Sequence, residues 1–449
     1  MAALEYELAT QLLTQLEHVP PYPLRARKVF ADTIVVMIKG AREPEIQQLA
    51  ATLAMPQGVA TMLAGEDLKA TPERAALVNA SGATFLELDE GIRPTGHPGV
   101  HLVPSLLAEV QARCSGVTMG TVLKSLVVGY EVTARLATSL QFHRAVHPHG
   151  HIGSVGIAAA IGHMRGWDAQ RVGQSMAIAA ALPLRTDWRP CFTGHTVRNA
   201  YAGLGAAIGF FAVDLAEAGF NGEWGTIEHI LAPALGDGIQ MDALLTPSTR
   251  WAIDKGYHKF YAGCALTHPS TEAALKLWAM GPWPVDLIQS VEVEVPERYM
   301  RTAVLPNGTR LSAKFSIPWA VAGALLTGVS DDSLYQEPLL SDPRIQRLAS
   351  RVHTKPAGDL TERFPDLAGS RVHLVLNSHQ RISAFCEDPR GGLQYGASWD
   401  ALRQKADDLL PGLEDAWWDA LTAFPDEMPA VDWWARILQS LPRGGDVRA

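Results

Sequence analysis

The sequence predicts a mainly α fold: a large all-helical domain, with a smaller α+β lid domain inserted before the C-terminal helices. Three observations lead there. Apolar residues recur at helical spacing through most of the first 255 residues. The period falls to two near residue 290, which is the signature of a half-buried strand. Helical spacing returns near residue 399. The predicted division is therefore 1–255 and 400–449 for the helical domain and 256–399 for the lid. Of the 449 residues, 47% are hydrophobic and 19% charged, enough for a large core and more than one compact unit.

Taken in order, helical spacing marks 31–40, 118–140, 172–184 and 199–219. The last stretch ends at Gly219, a C-terminal stop, and its Gly203, Gly205, Ala206 and Gly209 let a neighbouring helix approach closely. "SVEVEVPERY" (290–299) reads as a strand, and 371–377 and 381–388 as a strand pair around a turn at Ser378–Gln380. "FSIPWAVAGALLTG" (315–328) reads as a helix between them, and the tail from Trp399 as helices that return to the first domain.

Several function classes lose support. The formal charge is −9 and no long Lys or Arg run occurs, so no nucleic-acid partner is expected. Glu5 and Glu7 stand where a signal peptide would be basic, and no apolar run reaches ~18 residues. A cytoplasmic chain with no membrane partner is expected. Cys114, Cys191, Cys264 and Cys386 make no CxxC pair, so disulfides, a zinc ribbon and an iron–sulfur cluster are all poorly supported.

Five clusters can carry chemistry. "ELDEGIRPTGHPGVH" (87–101) sets Glu87, Asp89 and Glu90 before a loop with Arg93, His97 and His101. "HPHGHIG" places His147 and His151 at the entrance to a helix starting near Ile152, whose amides could support an anion. Such a loop reads as proton-transfer imidazoles, as a metal site, or as incidental histidines. Arg198 fronts an Ala/Gly helix and offers a fork for a carboxylate; a solvent-facing arginine is the alternative. "HPSTEAAL" puts His268 just outside a helix capped by Ser270 or Thr271, and Lys314 stands alone before the apolar 315–328 stretch.

In this order the clusters resemble the MmgE/PrpD family, whose members include 2-methylcitrate dehydratase, cis-aconitate decarboxylase and iminodisuccinate epimerase. The matching stretches run from about residue 30 to 330: "GATFLELDEG", "HPGVHLVPSLLAE", "HPHGHIGSVGIAAAIG", "VRNAYAGLGAAIGFFAVDLAEAGFNG", "KFYAGCALTHPSTEAAL" and "AKFSIPWAVAGALLTG". The resemblance implies the helical domain with its lid, an active site between them, a homodimer, and neither metal nor organic cofactor. His97 and His147 match the family's pocket histidines, and His268 the histidine before its lid helix. Three departures stand out. The acidic loop has Glu87 and Gly91 where the dehydratase and decarboxylase pattern has Asp and Thr, Trp319 replaces a Tyr, and Arg198 replaces a Lys.

The expected function is a cofactor-independent lyase, a dehydratase or decarboxylase, acting on a small di- or tricarboxylate through a carbanion- or enol-like intermediate. His147 is the expected base, His97 the acid or oxyanion partner, His151 an opposite-face partner, and Asp89 the group that orients a histidine. Arg198 and Lys314 are expected to clamp carboxylates, with Glu87 and His268 also at the substrate. His143 and His149 are expected outside the chemistry. Two alternatives stay open. One is a dicarboxylate isomerase or epimerase exchanging protons between His147 and His151. The other is a carboxylate-binding protein without catalysis.

Overall fold

The computed structural model describes residues 3–18, 24–65, 67–113, 116–182 and 184–441. Cys114 lies outside the described residues; Cys191, Cys264 and Cys386 are buried and free.

The chain is mainly helical, as its spacing predicts. Helices Leu24–Gly40, Pro72–Phe85, Pro98–Arg113, Met119–Ser139, His151–Met164 and Tyr201–Glu217 pack into one body. Its centre uses small residues. A Cβ on Gly205 would lie 2.5 Å from the Gly150 carbonyl oxygen, and one on Gly209 would lie 2.6 Å from Ile157 Cγ2. Helix Tyr201–Glu217 thus seats directly on His151–Met164 and on the loop that precedes it. The segment Thr196–Glu217 has the length and apolar composition of a membrane span, yet 67% of its most apolar 18-residue stretch is buried within the protein. Core packing accounts for its apolar character.

The lid carries a four-stranded sheet in the order Arg381–Cys386, Ser370–Leu376, Ile288–Val295, Val352–Pro356. The first two pairings are antiparallel and the last is parallel. Val291, Val293 and Val295 are fully buried on one side, which is the period of two read from the sequence. Helices His268–Trp278 and Ile317–Thr327 cover that side.

Helix His268–Trp278 starts one turn earlier than the sequence suggests. Thr267 precedes it, His268 is its first residue, and neither Ser270 nor Thr271 caps it. Ser270 bonds Ser370 Oγ at 2.9 Å, and Thr271 Oγ1 donates to the Thr267 carbonyl. His101, expected in a loop, lies in helix Pro98–Arg113.

Our proposed division keeps the boundaries at 255 and 400. In its support, helices Trp399–Leu409, Asp415–Thr422 and Ala430–Gln439 pack on Leu24–Gly40, Pro98–Arg113 and Met119–Ser139. Lys405 completes the join: its Nζ reaches the Leu88 carbonyl oxygen at 2.7 Å and Asp32 Oδ1 at 2.6 Å.

Candidate active site

Two loops meet above the helical body. One is the acidic loop after Pro72–Phe85. The other is the histidine loop before His151–Met164, which turns into its helix through Gly150 at φ 102°, a left-handed conformation that favours glycine. His101 joins them. Its Nδ1 donates to the His97 carbonyl at 2.8 Å, and its Nε2 accepts from the Gly150 N–H at 3.1 Å. With both nitrogens committed, the ring is neutral, and burial pushes it down to about 4.

Between the loops lies a chamber of about 40 Å³, lined by Glu87, His97, His147, Trp188, Arg198 and Cys264, among others. His97 Nδ1 sits 2.8 Å from the Glu90 carbonyl oxygen and 2.7 Å from Asp89 Oδ2. With two acceptors beside it, Nδ1 carries the proton, and Nε2 is left as an acceptor on the chamber side. His147 is arranged the opposite way. Its Nδ1 accepts from the His149 N–H at 3.2 Å, so in the neutral ring Nε2 carries the proton. Burial, then the nearby Arg198, hold His147 well below the ordinary imidazole range. The chamber therefore presents one acceptor ring and one donor ring.

His149 spaces them. It is buried, its ring is edge-on to His97 at 4.7 Å and to His147 at 4.6 Å, and neither of its nitrogens has a partner among the described residues. Expected outside the chemistry, it does not line the chamber but fixes the separation of the two rings that do. His143 is exposed, 3.6 Å from Asp237.

The charged wall is internally matched. Arg198, the residue for which a solvent-facing position was the alternative, is 1% exposed and pairs with Glu87. Burial opposes its charge, and the Glu87 carboxylate raises it back. Lys259 Nζ lies 3.1 Å from both Glu87 Oε2 and Asp89 Oδ1. Burial opposes the Asp89 carboxylate too, but Lys259 and then His97 hold it well below the usual range. Glu87, expected at the substrate, lines the chamber and holds two cations in place. Behind them Glu90 accepts from the Gly99 N–H (2.6 Å) and bonds the Tyr130 hydroxyl (2.8 Å). Burial pushes Glu90 up to about 8, so it holds its proton at neutral pH.

Three expected participants lie elsewhere. Lys314 does not clamp a carboxylate: its Nζ donates to the Leu86 carbonyl at 2.9 Å and pairs with Asp332 at 2.7 Å, bracing the acidic loop from behind. His151 does not face the chamber, because its Nε2 bonds Thr186 Oγ1 at 2.8 Å. His268 does not line the chamber: its Nε2 lies 3.2 Å from the Gly263 carbonyl, and the ring borders an adjoining cleft with His258 and Arg390. The amides just before the helix, those of His149 and Gly150, are spent within the protein, on His147 and His101.

Sequence reading overlooked Lys259, Trp188, Arg298 and Arg301. Lys259 had a signal, a lone ammonium in the apolar "YHKFYAG". Arg298 and Arg301 had a weaker one, in "ERYMR", read only as the end of a strand.

Among the described residues, Asp89, His97 and His149 offer ligand atoms within 4.8 Å of one another. The set fits a cation poorly. The Lys259 ammonium stands 3.1 Å from Asp89 and already supplies the positive charge there.

The MmgE/PrpD N-terminal domain matches residues 14–235 and the MmgE/PrpD C-terminal domain matches residues 261–416. The chain is 25% identical over 312 residues to the cis-aconitate decarboxylase of Homo sapiens, covering 64% of this chain and 62% of that protein. It is 23% identical over 369 residues to the cis-aconitate decarboxylase of Mus musculus, covering 76% of this chain and 72% of that protein. The two domains together span most of the chain, which belongs to the MmgE/PrpD family.

Proposed function

We propose that this member of the MmgE/PrpD family is a lyase that removes CO2 or water from a small di- or tricarboxylate, with decarboxylation of an unsaturated acid of the cis-aconitate kind as the first reaction to test. The observation that carries the reading is the complementary pair of imidazoles: His97, with its acceptor nitrogen free, and His147, with its proton on the chamber side.

Loss of CO2 leaves the bonding electron pair on carbon, where it spreads toward an adjacent unsaturated carboxylate. A proton must then be delivered to the far carbon of that system. Loss of water needs a base to take a C–H proton while an acid protonates the departing hydroxyl. Loss of water thus requires one donor and one acceptor across a dry chamber, and loss of CO2 requires the donor. On this geometry His97, oriented by Asp89, is the base and His147 the donor, the reverse of the roles the sequence suggested. Arg198 and Lys259, already fixed by Glu87 and Asp89, are preorganised to stabilise the developing enolate charge without reorganising.

The same pair would serve an epimerase, with His97 in place of His151. Two relatives that are decarboxylases favour the lyase. Proton NMR of the purified chain with cis-aconitate, citrate, 2-methylcitrate and substituted aspartates in D2O separates the readings. New vinyl signals or released CO2 support the lyase. Loss of a Cα–H signal without a new product supports the epimerase, and silence across the panel removes both.

A further inference from the structure

The chamber opens through Trp188 into a vestibule, and the two differ in size and in charge. The chamber is the smaller, about 40 Å³. The vestibule encloses about 280 Å³ and shares Pro94, Thr95, Pro148, Trp188 and Arg298 with the chamber, so the two are continuous.

Their cations are in opposite states. Arg198 in the chamber wall is already matched with Glu87, and Lys259 beside it with Glu87 and Asp89. Arg298 and Arg301 line the vestibule, and neither has a carboxylate partner among the described residues. They stand three apart on the 3₁₀ helix Glu297–Thr302, where three residues make a turn, so they share a face; Tyr299 and Thr302 are buried against the protein. Arg301 stacks 4.7 Å from the Trp188 ring, which also lies 4.3 Å from the His147 imidazole. Its Nε is buried and unpartnered. Burial, and after it the nearby Arg298, pull Arg301 down to about 10. Asp237, at the mouth, is 75% exposed and faces His143 instead.

We propose that the vestibule is a second anion subsite, in which Arg298 and Arg301 hold the distal carboxylate of an elongated, doubly anionic substrate whose reacting end lies between His97 and His147. The inference rests on the reading of the chamber as a carboxylate site. Two guanidinium forks on one face suit a carboxylate, and the Trp188 surface supports the chain that links the two ends. The subsite selects by length: an acid carrying one carboxylate fills the chamber and leaves the arginines unmatched.

Isothermal titration of the full chain with succinate, glutarate, adipate and pimelate, beside monocarboxylates of equal carbon number, tests this. A longer diacid should bind about tenfold or more tighter than its monocarboxylate. Arg301→Gln should remove most of that advantage while changing monocarboxylate affinity less than threefold. Arg301→Lys, which keeps the charge and loses the fork, should fall between, and thermal melts confirm that each variant is folded. Equal losses for mono- and diacids would make the arginines merely structural and overturn the proposal. If monocarboxylates bind and diacids gain nothing at any length, the subsite is wrong and the chamber reading stands. If no carboxylate binds, both fall.

Discussion

At His97 the two ring nitrogens have separate tasks, and Asp89 is what separates them. Its carboxylate lies 2.7 Å from Nδ1 and fixes the tautomer that leaves Nε2 open. Asp89→Asn should therefore lower kcat on the order of 10²–10⁴-fold with KM changed only a few-fold; a kcat within threefold of the parent would refute the orienting role. Glu90 gives a second test. Its carboxyl is held at about 8, above an unfolded value near 4.5, so the native state keeps a proton that the unfolded chain loses. That costs stability as pH rises through this window. Glu90→Gln keeps the shape of the bonds to Gly99 and Tyr130. It should stabilise the protein by an amount that grows about 1.4 kcal/mol per pH unit from pH 5 to pH 8. Urea melts across that range that show a constant difference would contradict the assignment. Single residues were unevenly legible. The position of Asp89, His97 and His147 in the chain exposed them as chemistry-bearing groups, because polar residues crowd there in Gly/Pro-rich loops. Lys314 and Lys259 look alike in sequence, each a lone ammonium in an apolar stretch. Only folding decides that one braces the acidic loop and the other joins its carboxylates.

Among elements, the helix Tyr201–Glu217 governs the histidine loop through contact with backbone. A methyl on Gly205 would press the Gly150 carbonyl, Cα and carbonyl carbon, none of which can yield like a side chain. Gly205→Ala should cost about 1–3 kcal/mol and also depress kcat, since Gly150 carries the His101 bond that joins the two loops. Lower stability with unchanged kcat would uncouple the helix from the site. The long helices and the period-two strands were readable, because their hydrophobic faces are continuous over many residues. The short pieces were not. Neither the start of helix His268–Trp278 nor the 3₁₀ turn at Glu297–Thr302 is set by local pattern. Both follow from packing against the lid sheet and the Cys264–Thr267 turn.

Across the whole molecule, buried neutral histidines make stability depend on pH. Burial, as the leading cause, pushes His101 down to about 4, and His151 and His268 down to about 3. Each native ring stays neutral while its unfolded counterpart charges below pH ~6.5. Stability is therefore lost as pH falls through that value, by about 2 kcal/mol per ring at pH 5, and Glu90 offsets only part of it. The urea midpoint should drop between pH 7 and pH 5; a flat profile would mean that these rings are hydrated. The return of the C-terminal helices is also a property of the whole chain. The sequence showed that the tail is helical, but not that Lys405 would reach 317 positions back to the Leu88 carbonyl beside the acidic loop. The central claim remains the pairing of His97 as acceptor with His147 as donor across one chamber. The most direct test is proton NMR in D2O of the parent, His97→Gln and His147→Gln with the acid that the parent turns over. The account predicts that each variant stays folded and forms product on the order of 10²–10⁴-fold more slowly. Product formed at near-parental rate by either variant would contradict it.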